Sequence, residues 1–293
     1  MAVILDGKTL SAKIREELKQ KVASREVSGL PLPHLTAMQV GDNHASTVYI
    51  KAKQRACEEL EIGFSHLKLP ENTSREELHR AVKSVNDDPT IHGLIVQSPL
   101  PSHLDEIEVQ RMVSPAKDVD CFHPENVGLL YIGQARFKPC TAAGVVELML
   151  AYGFDPAGKK AVIIGRSTIV GRPLAVMMML KGRGGDATVT VCHSRTPDLA
   201  KECRTADIII PAVGVTELVR GDWVKDGVVV VDVGINRLPD ATKKAGYRLV
   251  GDVAFDEVEP KAAAIAPVPG GVGPMTVAIL MSNVMRAAGY RVD

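Results

Sequence analysis

The stretch Lys160-Ala-Val-Ile-Ile-Gly165-Arg-Ser-Thr-Ile-Val-Gly-Arg-Pro173 decides the fold. It opens with a short apolar run that ends in glycine, then turns through small polar residues. An apolar helix is predicted to follow over 174–180. A strand, a tight turn and a helix start in this order present free backbone N–H groups and the positive end of a helix dipole to an anion. The spacing is Gly165-x-Ser167-x-x-x-Gly171 rather than G-x-G-x-x-G. Taken alone, it also fits a strand–turn–helix whose glycines serve packing only.

The next strand, expected at 187–192, sharpens the reading. A site for a dinucleotide without a 2′-phosphate places Asp or Glu at the end of this strand, to hold the ribose hydroxyls. Here the strand runs into His193-Ser194-Arg195-Thr196, with no carboxylate. Arg195, the two hydroxyls and Arg166 in the first turn suit a 2′-phosphate, because a guanidinium fork matches phosphate oxygens. The implied cofactor is NADP. The other reading makes Arg195 a solvated loop residue. Further strands at 207–213 and 228–233 also run apolar into glycine, which lets a ligand approach the backbone closely.

Toward the N-terminus the same alternation holds. Leu10, Ile14, Leu18 and Val22 recur at helical spacing. Strands are predicted near 35–40, 64–69 and 92–97, with a helix at about 45–60 between the first two. Ser74 and Glu77 form a capping box before Leu78, Val82 and Val85. Helices are predicted over 143–152 and 273–289. Strands alternating with helices imply parallel βαβ units. At roughly 150 residues per domain, 293 residues make about two domains. The fold class expected is α/β, with two domains flanking a cleft and the second a Rossmann-like parallel-sheet domain. Residues 1–150 with 270–293 would form the first, and 151–269 the second.

Lys plus Arg and Asp plus Glu both number 35, so the formal net charge is zero, and aromatics are 4%. Generic nucleic-acid binding, which calls for a basic surface or stacking platforms, is disfavoured. Five scattered cysteines without a Cys-x-x-Cys pair disfavour a disulfide framework or zinc site. Met1-Ala-Val-Ile-Leu-Asp6 is too short an apolar run for a signal peptide, and no run reaches 18 apolar residues. A soluble cytoplasmic protein, without membrane or nucleic-acid partners, is expected.

Chemistry-bearing residues stand elsewhere. Tyr49 and Lys53 are four apart on one helix face, beside an apolar stripe of Ala45, Val48, Ala52 and Ala56. As an isolated pair they also fit a half-buried aromatic and a surface lysine. Gln97 ends a buried strand before Ser98-Pro-Leu-Pro101. Asp118 and Asp120 are two carboxylates one residue apart, with no third ligand at useful spacing, so no metal site is expected. Pro267-Val-Pro-Gly-Gly-Val-Gly-Pro-Met-Thr276 is a rigid loop that opens a helix; it fits a backbone contact with a flat ligand or a linker between domains equally well.

Together these segments resemble the bifunctional methylenetetrahydrofolate dehydrogenase/cyclohydrolases over essentially the whole chain. The carriers are Tyr49-Ile-Lys-Ala-Lys53, Gly93-Leu-Ile-Val-Gln97 with Pro99-Leu-Pro101, Lys117-Asp-Val-Asp120, Gly165-Arg-Ser-Thr-Ile-Val-Gly171, Cys192-His-Ser194 and Pro269-Gly-Gly-Val-Gly-Pro-Met-Thr276. The resemblance implies oxidation of 5,10-methylenetetrahydrofolate with NADP, then hydrolysis to 10-formyltetrahydrofolate. It makes Lys53 the central cyclohydrolase residue, with Tyr49 stacking on the folate, Gln97 holding Lys53 and Asp120 accepting from the pterin. Val96, Pro269, Gly270, Gly271, Val272 and Thr276 would line the substrate. Gly165, Arg166, Ser167, Ser194, Arg195 and Ile235 would hold NADP. A homodimer through the cofactor domain is implied as well. Three positions depart from the family pattern: Cys121 replaces a common glycine, Ser98 a leucine and Ala142 a proline. Two other readings are one activity alone and a non-catalytic nucleotide-binding protein on the same fold.

Overall fold

A computed structural model of the chain describes residues 1–243 and 246–292. In chain order the first half holds β1 (Val3–Ile4), α1 (Gly7–Ala23), α2 (Arg25–Ser28), β2 (His34–Val40), α3 (His44–Glu59), β3 (Gly63–Leu69), α4 (Arg75–Asp87) and β4 (Gly93–Val96). Then come α5 (Glu106–Met112), α6 (Pro124–Tyr131), α7 (Cys140–Ala151), β5 (Lys160–Ile164), α8 (Gly171–Met179), β6 (Thr188–Cys192) and α9 (Leu199–Arg204). The remainder is β7 (Ile208–Pro211), β8 (Val228–Val231), β9 (Asn236–Pro239), β10 (Tyr247–Val250), α10 (Phe255–Val258), β11 (Ala262–Ala266) and α11 (Val272–Ala287). The chain divides into two compact units: Met1–Ser11 with Thr141–Thr276, and Ala12–Cys140 with Val277–Asp293. The division falls after Ser11, Cys140 and Thr276, against boundaries expected from the sequence after 150 and 269.

The second of these units is built on a parallel three-stranded sheet in the order β3-β2-β4. Central β2 is buried from Leu35 to Val40. Met38 and Val40 pack with Leu78, Val82 and Val85 of α4 and with Leu94 of β4. The capping box forms: Glu77 N donates to Ser74 Oγ at 3.2 Å, and Ser74 N donates to Glu77 Oε2 at 2.8 Å. Such a cap is worth about 1 kcal/mol. On α3 the buried face differs from the expected stripe. Val48 and Ala52 are exposed, while Ser46, Ile50, Ala56, Cys57 and Leu60 are buried, and the side chain of Ala45 lies outside those described. Both sets keep helical spacing, and the packing selects the second.

The other unit carries a six-stranded sheet in the order β1-β11-β8-β7-β5-β6, with every pairing parallel. β7 and β8 are buried along their whole length, as strands covered on both faces must be. They end at Pro211 and Val231, two residues short of the expected ends. Three features were not anticipated. β1 is two residues long and joins the edge through Val3–Ala264 and Ile4–Ile265, so residues 1–11 pack here. β11 was not foreseen in its alanine-rich sequence. β9 and β10 form an antiparallel hairpin outside the main sheet.

Candidate active site

Lys53 lies on the buried stripe of α3, between Ile50 and Cys57, and is itself half-buried. Its Nζ donates to Gln97 Oε1 at 3.0 Å. The amide of Gln97 is fixed in turn, since Nε2 donates to Ser98 O at 2.8 Å and the backbone N donates to Met38 O at 2.8 Å. Ser46 Oγ reaches the same Ser98 carbonyl at 3.3 Å. With its Nε2 so engaged, Gln97 turns its oxygen to the lysine, and Lys53 keeps further donors for a ligand. Tyr49, one turn earlier, is 53% exposed. Val96 is half-buried at the end of β4.

Asp120 follows a loop pinned from two sides. Asp118 is buried and accepts from Phe122 N at 3.0 Å, His123 N at 2.8 Å and Asn126 Nδ2 at 2.8 Å. Burial pushes its carboxyl up, and these three bonds oppose the rise. From α11, buried Asn283 donates through Nδ2 to Val119 O at 2.8 Å and Lys138 O at 2.9 Å. Cys121 has φ +63°, in the left-handed region, which accounts for a glycine suiting this position. The Cys140 thiol is held well above its ordinary range, first by burial and then by the charge and hydrogen bonding of Asp120. Lys53 acts on it in the opposite direction, so Lys53, Asp120 and Cys140 share one electrostatic neighbourhood. The structure thus brings Lys53, Gln97 and Asp120 into one region of this unit.

In the six-stranded unit, Gly165 follows β5 with φ +122°, and a Cβ there would lie 2.5 Å from Ala212 O. A Cβ on Gly171 would lie 2.2 Å from Gly165 O. Both glycines are therefore demanded by the turn itself. Ser167 Oγ accepts from Val170 N at 3.1 Å and more weakly from Gly171 N at 3.4 Å. The N-cap residue of α8, Val170, makes no side-chain capping bond of its own. Gly165 N donates to Cys192 O at 2.9 Å, which ties this turn to the end of β6. Arg166, Ser167, Ser194 and Arg195 are all exposed around it. Among the described residues neither guanidinium has a protein partner. A glycine-lined turn, a helix start, two unpaired arginines and no carboxylate at the β6 end fit a 2′-phosphorylated dinucleotide. Ile235, after β8, is 50% exposed.

The proline–glycine loop belongs to the same unit. Lys8 N donates to Gly270 O, and Gly271 N to Pro267 O. Gly7 lies so close to Gly271 that a Cβ would be 1.8 Å from its carbonyl oxygen. Pro269 is exposed, Gly270 half-buried, and Gly271 and Val272 buried. Thr276 Oγ1 lies 3.2 Å from Thr141 Oγ1 and 3.4 Å from Val272 O. Sequence reasoning missed Asp232 and Asp252, buried carboxylates beside Ile235. The available signal was an aspartate placed between apolar residues and glycine in both Val-Asp-Val-Gly234 and Val-Gly-Asp252. Among the described residues there is no group of three or more potential metal ligands, and no helix long and apolar enough to cross a membrane.

Comparison with known proteins gives consistent matches. Residues 5–120 match the family model for the tetrahydrofolate dehydrogenase/cyclohydrolase catalytic domain. Residues 139–292 match the NAD(P)-binding domain of the same enzymes. The chain is 50% identical over 287 residues to the bifunctional protein FolD of Moorella thermoacetica, covering 98% of this chain and 99% of that one. The solved FolD dehydrogenase/cyclohydrolase of Campylobacter jejuni is 48% identical, with TM-score 0.93 and full coverage of both chains. The Trypanosoma brucei enzyme, solved with NADP cofactor and inhibitor, is 40% identical with TM-score 0.92, over 98% of this chain and 97% of that one.

Proposed function

The chain belongs to the tetrahydrofolate dehydrogenase/cyclohydrolase family, and from that premise we propose how its residues divide the work. It is a bifunctional enzyme of one-carbon folate metabolism. It oxidises 5,10-methylenetetrahydrofolate to 5,10-methenyltetrahydrofolate with NADP and hydrolyses the product to 10-formyltetrahydrofolate. NADP, when bound, supplies the hydride acceptor. Arg195, Ser194 and Arg166 would hold its 2′-phosphate, the Gly165–Ser167 turn with the start of α8 its pyrophosphate, and Ile235 its far end. The substrate nitrogen drives hydride loss, so the chain contributes positioning rather than acid or base.

The hydrolytic step is assigned to Lys53, and the 3.0 Å bond from Lys53 Nζ to Gln97 Oε1 carries that reading. Water adding to the methenyl cation gives up one proton; as the ring opens, the remaining hydroxyl proton passes to the departing nitrogen while the formyl C=O forms, so one proton is released overall. In this reading Nζ, held by Gln97, orients the water and relays the proton. Asp120 accepts from the pterin N–H groups, and Tyr49 stacks on the folate beside Val96. Pro269, Gly270, Gly271, Val272 and Thr276 are proposed as substrate contacts from the six-stranded unit. The test supplies methylenetetrahydrofolate and NADP and follows NADPH and methenyl absorbance together. Lys53→Met forms NADPH while the methenyl signal persists; hydrolysis equal to the parent would refute the role of Lys53.

A homodimer through the six-stranded unit is proposed too. Its support is that β6 is an edge strand, with Val191 37% exposed and one line of backbone groups unpaired. The five cysteines are free and buried, which suits a reducing compartment, and the proposed location is the cytoplasm.

A further inference from the structure

Asp232 and Asp252 are 4% and 0% exposed. Asp232 Oδ1 accepts from Gly234 N at 2.9 Å and Asp252 N at 3.0 Å, and its Oδ2 accepts from Val253 N at 2.9 Å. Asp252 Oδ2 accepts from Val213 N at 2.8 Å and Gly214 N at 3.0 Å, while its Oδ1 accepts from Asn236 Nδ2 at 2.9 Å. Two carboxylates thus gather the segments that follow β7, β8 and β10. The packing admits no side chain nearby. A Cβ on Gly251 would lie 1.8 Å from Asp232 Oδ2, and one on Gly234 2.2 Å from Asp252 Oδ1. Ile235 stands between two tethered neighbours, Gly234 and Asn236, and is left exposed.

The strand order places this cluster along the proposed cofactor. With the 2′-phosphate at the end of β6 and the pyrophosphate at β5, the order β8-β7-β5-β6 puts the nicotinamide half at the ends of β7 and β8. We infer that Asp232 and Asp252 are positioning residues for the nicotinamide half of the NADP site, clamping residues 213–214, 234–236 and 252–253 so that Ile235 and Gly214 meet the ring in a fixed place. This rests on the reading of Ile235 as a cofactor contact. Burial raises the Asp232 carboxyl to about 7 against its three N–H donors, and Asp252 is the charged group that faces it. Protonation deprives the three backbone N–H groups of an ionised acceptor, so the clamp loosens as pH falls through that value.

The test measures NADPH binding by fluorescence titration, and KM for NADP and for methylenetetrahydrofolate, in the parent, Asp232→Asn, Asp252→Asn and Asn236→Ala. Asp252→Asn raises KM for NADP about tenfold, the equivalent of one lost charge-assisted bond, while KM for the folate changes less than about twofold. In the parent, KM for NADP climbs as pH drops below about 7, and Asp232→Asn removes that dependence. Should the aspartate variants fail to fold, Asn236→Ala, at a half-buried side chain, carries the same KM test. Folded variants with parental KM for NADP, or with both KM values rising in parallel, would overturn the inference. A parent chain that binds no NADPH would instead overturn the cofactor reading on which it stands.

Discussion

Replacing Asn283 with alanine isolates what holds the Asp120 loop. Asn283 is 3% exposed and its amide donates to two carbonyls, buried Val119 O at 2.8 Å and half-buried Lys138 O at 2.9 Å. One carbonyl adjoins Asp120, and the other lies two residues before Cys140. Alanine removes the amide donor from both, at about 0.5–1.5 kcal/mol for each bond lost, while Val119 O keeps the Cys140 thiol at 3.5 Å. It also leaves a small void where the amide stood. A loss near 3 kcal/mol follows, lowering Tm by roughly 6–12 °C at about 2–4 °C per kcal/mol. Urea unfolding followed by circular dichroism measures it as a lower midpoint at constant slope. Because the loop bears Asp120, KM for methylenetetrahydrofolate should rise while KM for NADP holds. A loss below about 1 kcal/mol, with KM for the folate unchanged, would refute the claim that Asn283 fixes this loop.

Three further outcomes are expected. Arg195→Asp weakens NADP far more than NAD, and an unchanged ratio of the two KM values would dismiss the 2′-phosphate pocket. Gly165→Ala abolishes NADPH binding in fluorescence titration, since its Cβ meets Ala212 O at 2.5 Å at a φ of +122°; parental affinity would show that the turn is not pinned. Burial lowers the pKa of His34 and His92 from 6.5, so the folded state favours the neutral rings. As pH falls below 6.5 the unfolded chain takes up protons first, and stability drops until the folded rings titrate too. His34→Gln with His92→Gln should flatten urea stability between pH 6.5 and 5.5, and an undiminished slope there would exclude these rings as its source.

The β5–turn–α8 unit was legible because it is local: strand, glycine and helix follow within twenty residues, and sterics at Gly165 and Gly171 leave little choice. The capping box at Ser74 was legible for the same reason. β1 was not, because two residues make a strand only when β11, far along the chain, supplies the partner. The α3 stripe was misphased because Val48-Ala52-Ala56 and Ile50-Lys53-Cys57 both satisfy a helical period. Burial of the second set is what makes Lys53 unusual, since a lysine occupies a position otherwise reserved for packing and its amine is met by Gln97. Among the site residues, motifs pointed to Lys53, Gln97 and Asp120. The supports of that site, Asn283 and Asp118, act through backbone groups whose positions only the tertiary structure defines.

The five buried thiols have a use beyond chemistry. Burial lifts Cys57, Cys121 and Cys203 to about 12 and raises Cys140 and Cys192 as well, so an alkylating reagent meets almost no thiolate in the closed protein. Cys192 and Cys203 fall in the six-stranded unit, and Cys57, Cys121 and Cys140 in the other. Modification rates resolved by mass spectrometry would therefore serve as two separate clocks, each ticking only when its own unit opens. Saturating NADP should slow the first clock by the factor its binding stabilises the closed form. The natural sequence thus carries its own unit-by-unit unfolding reporter, with no label added.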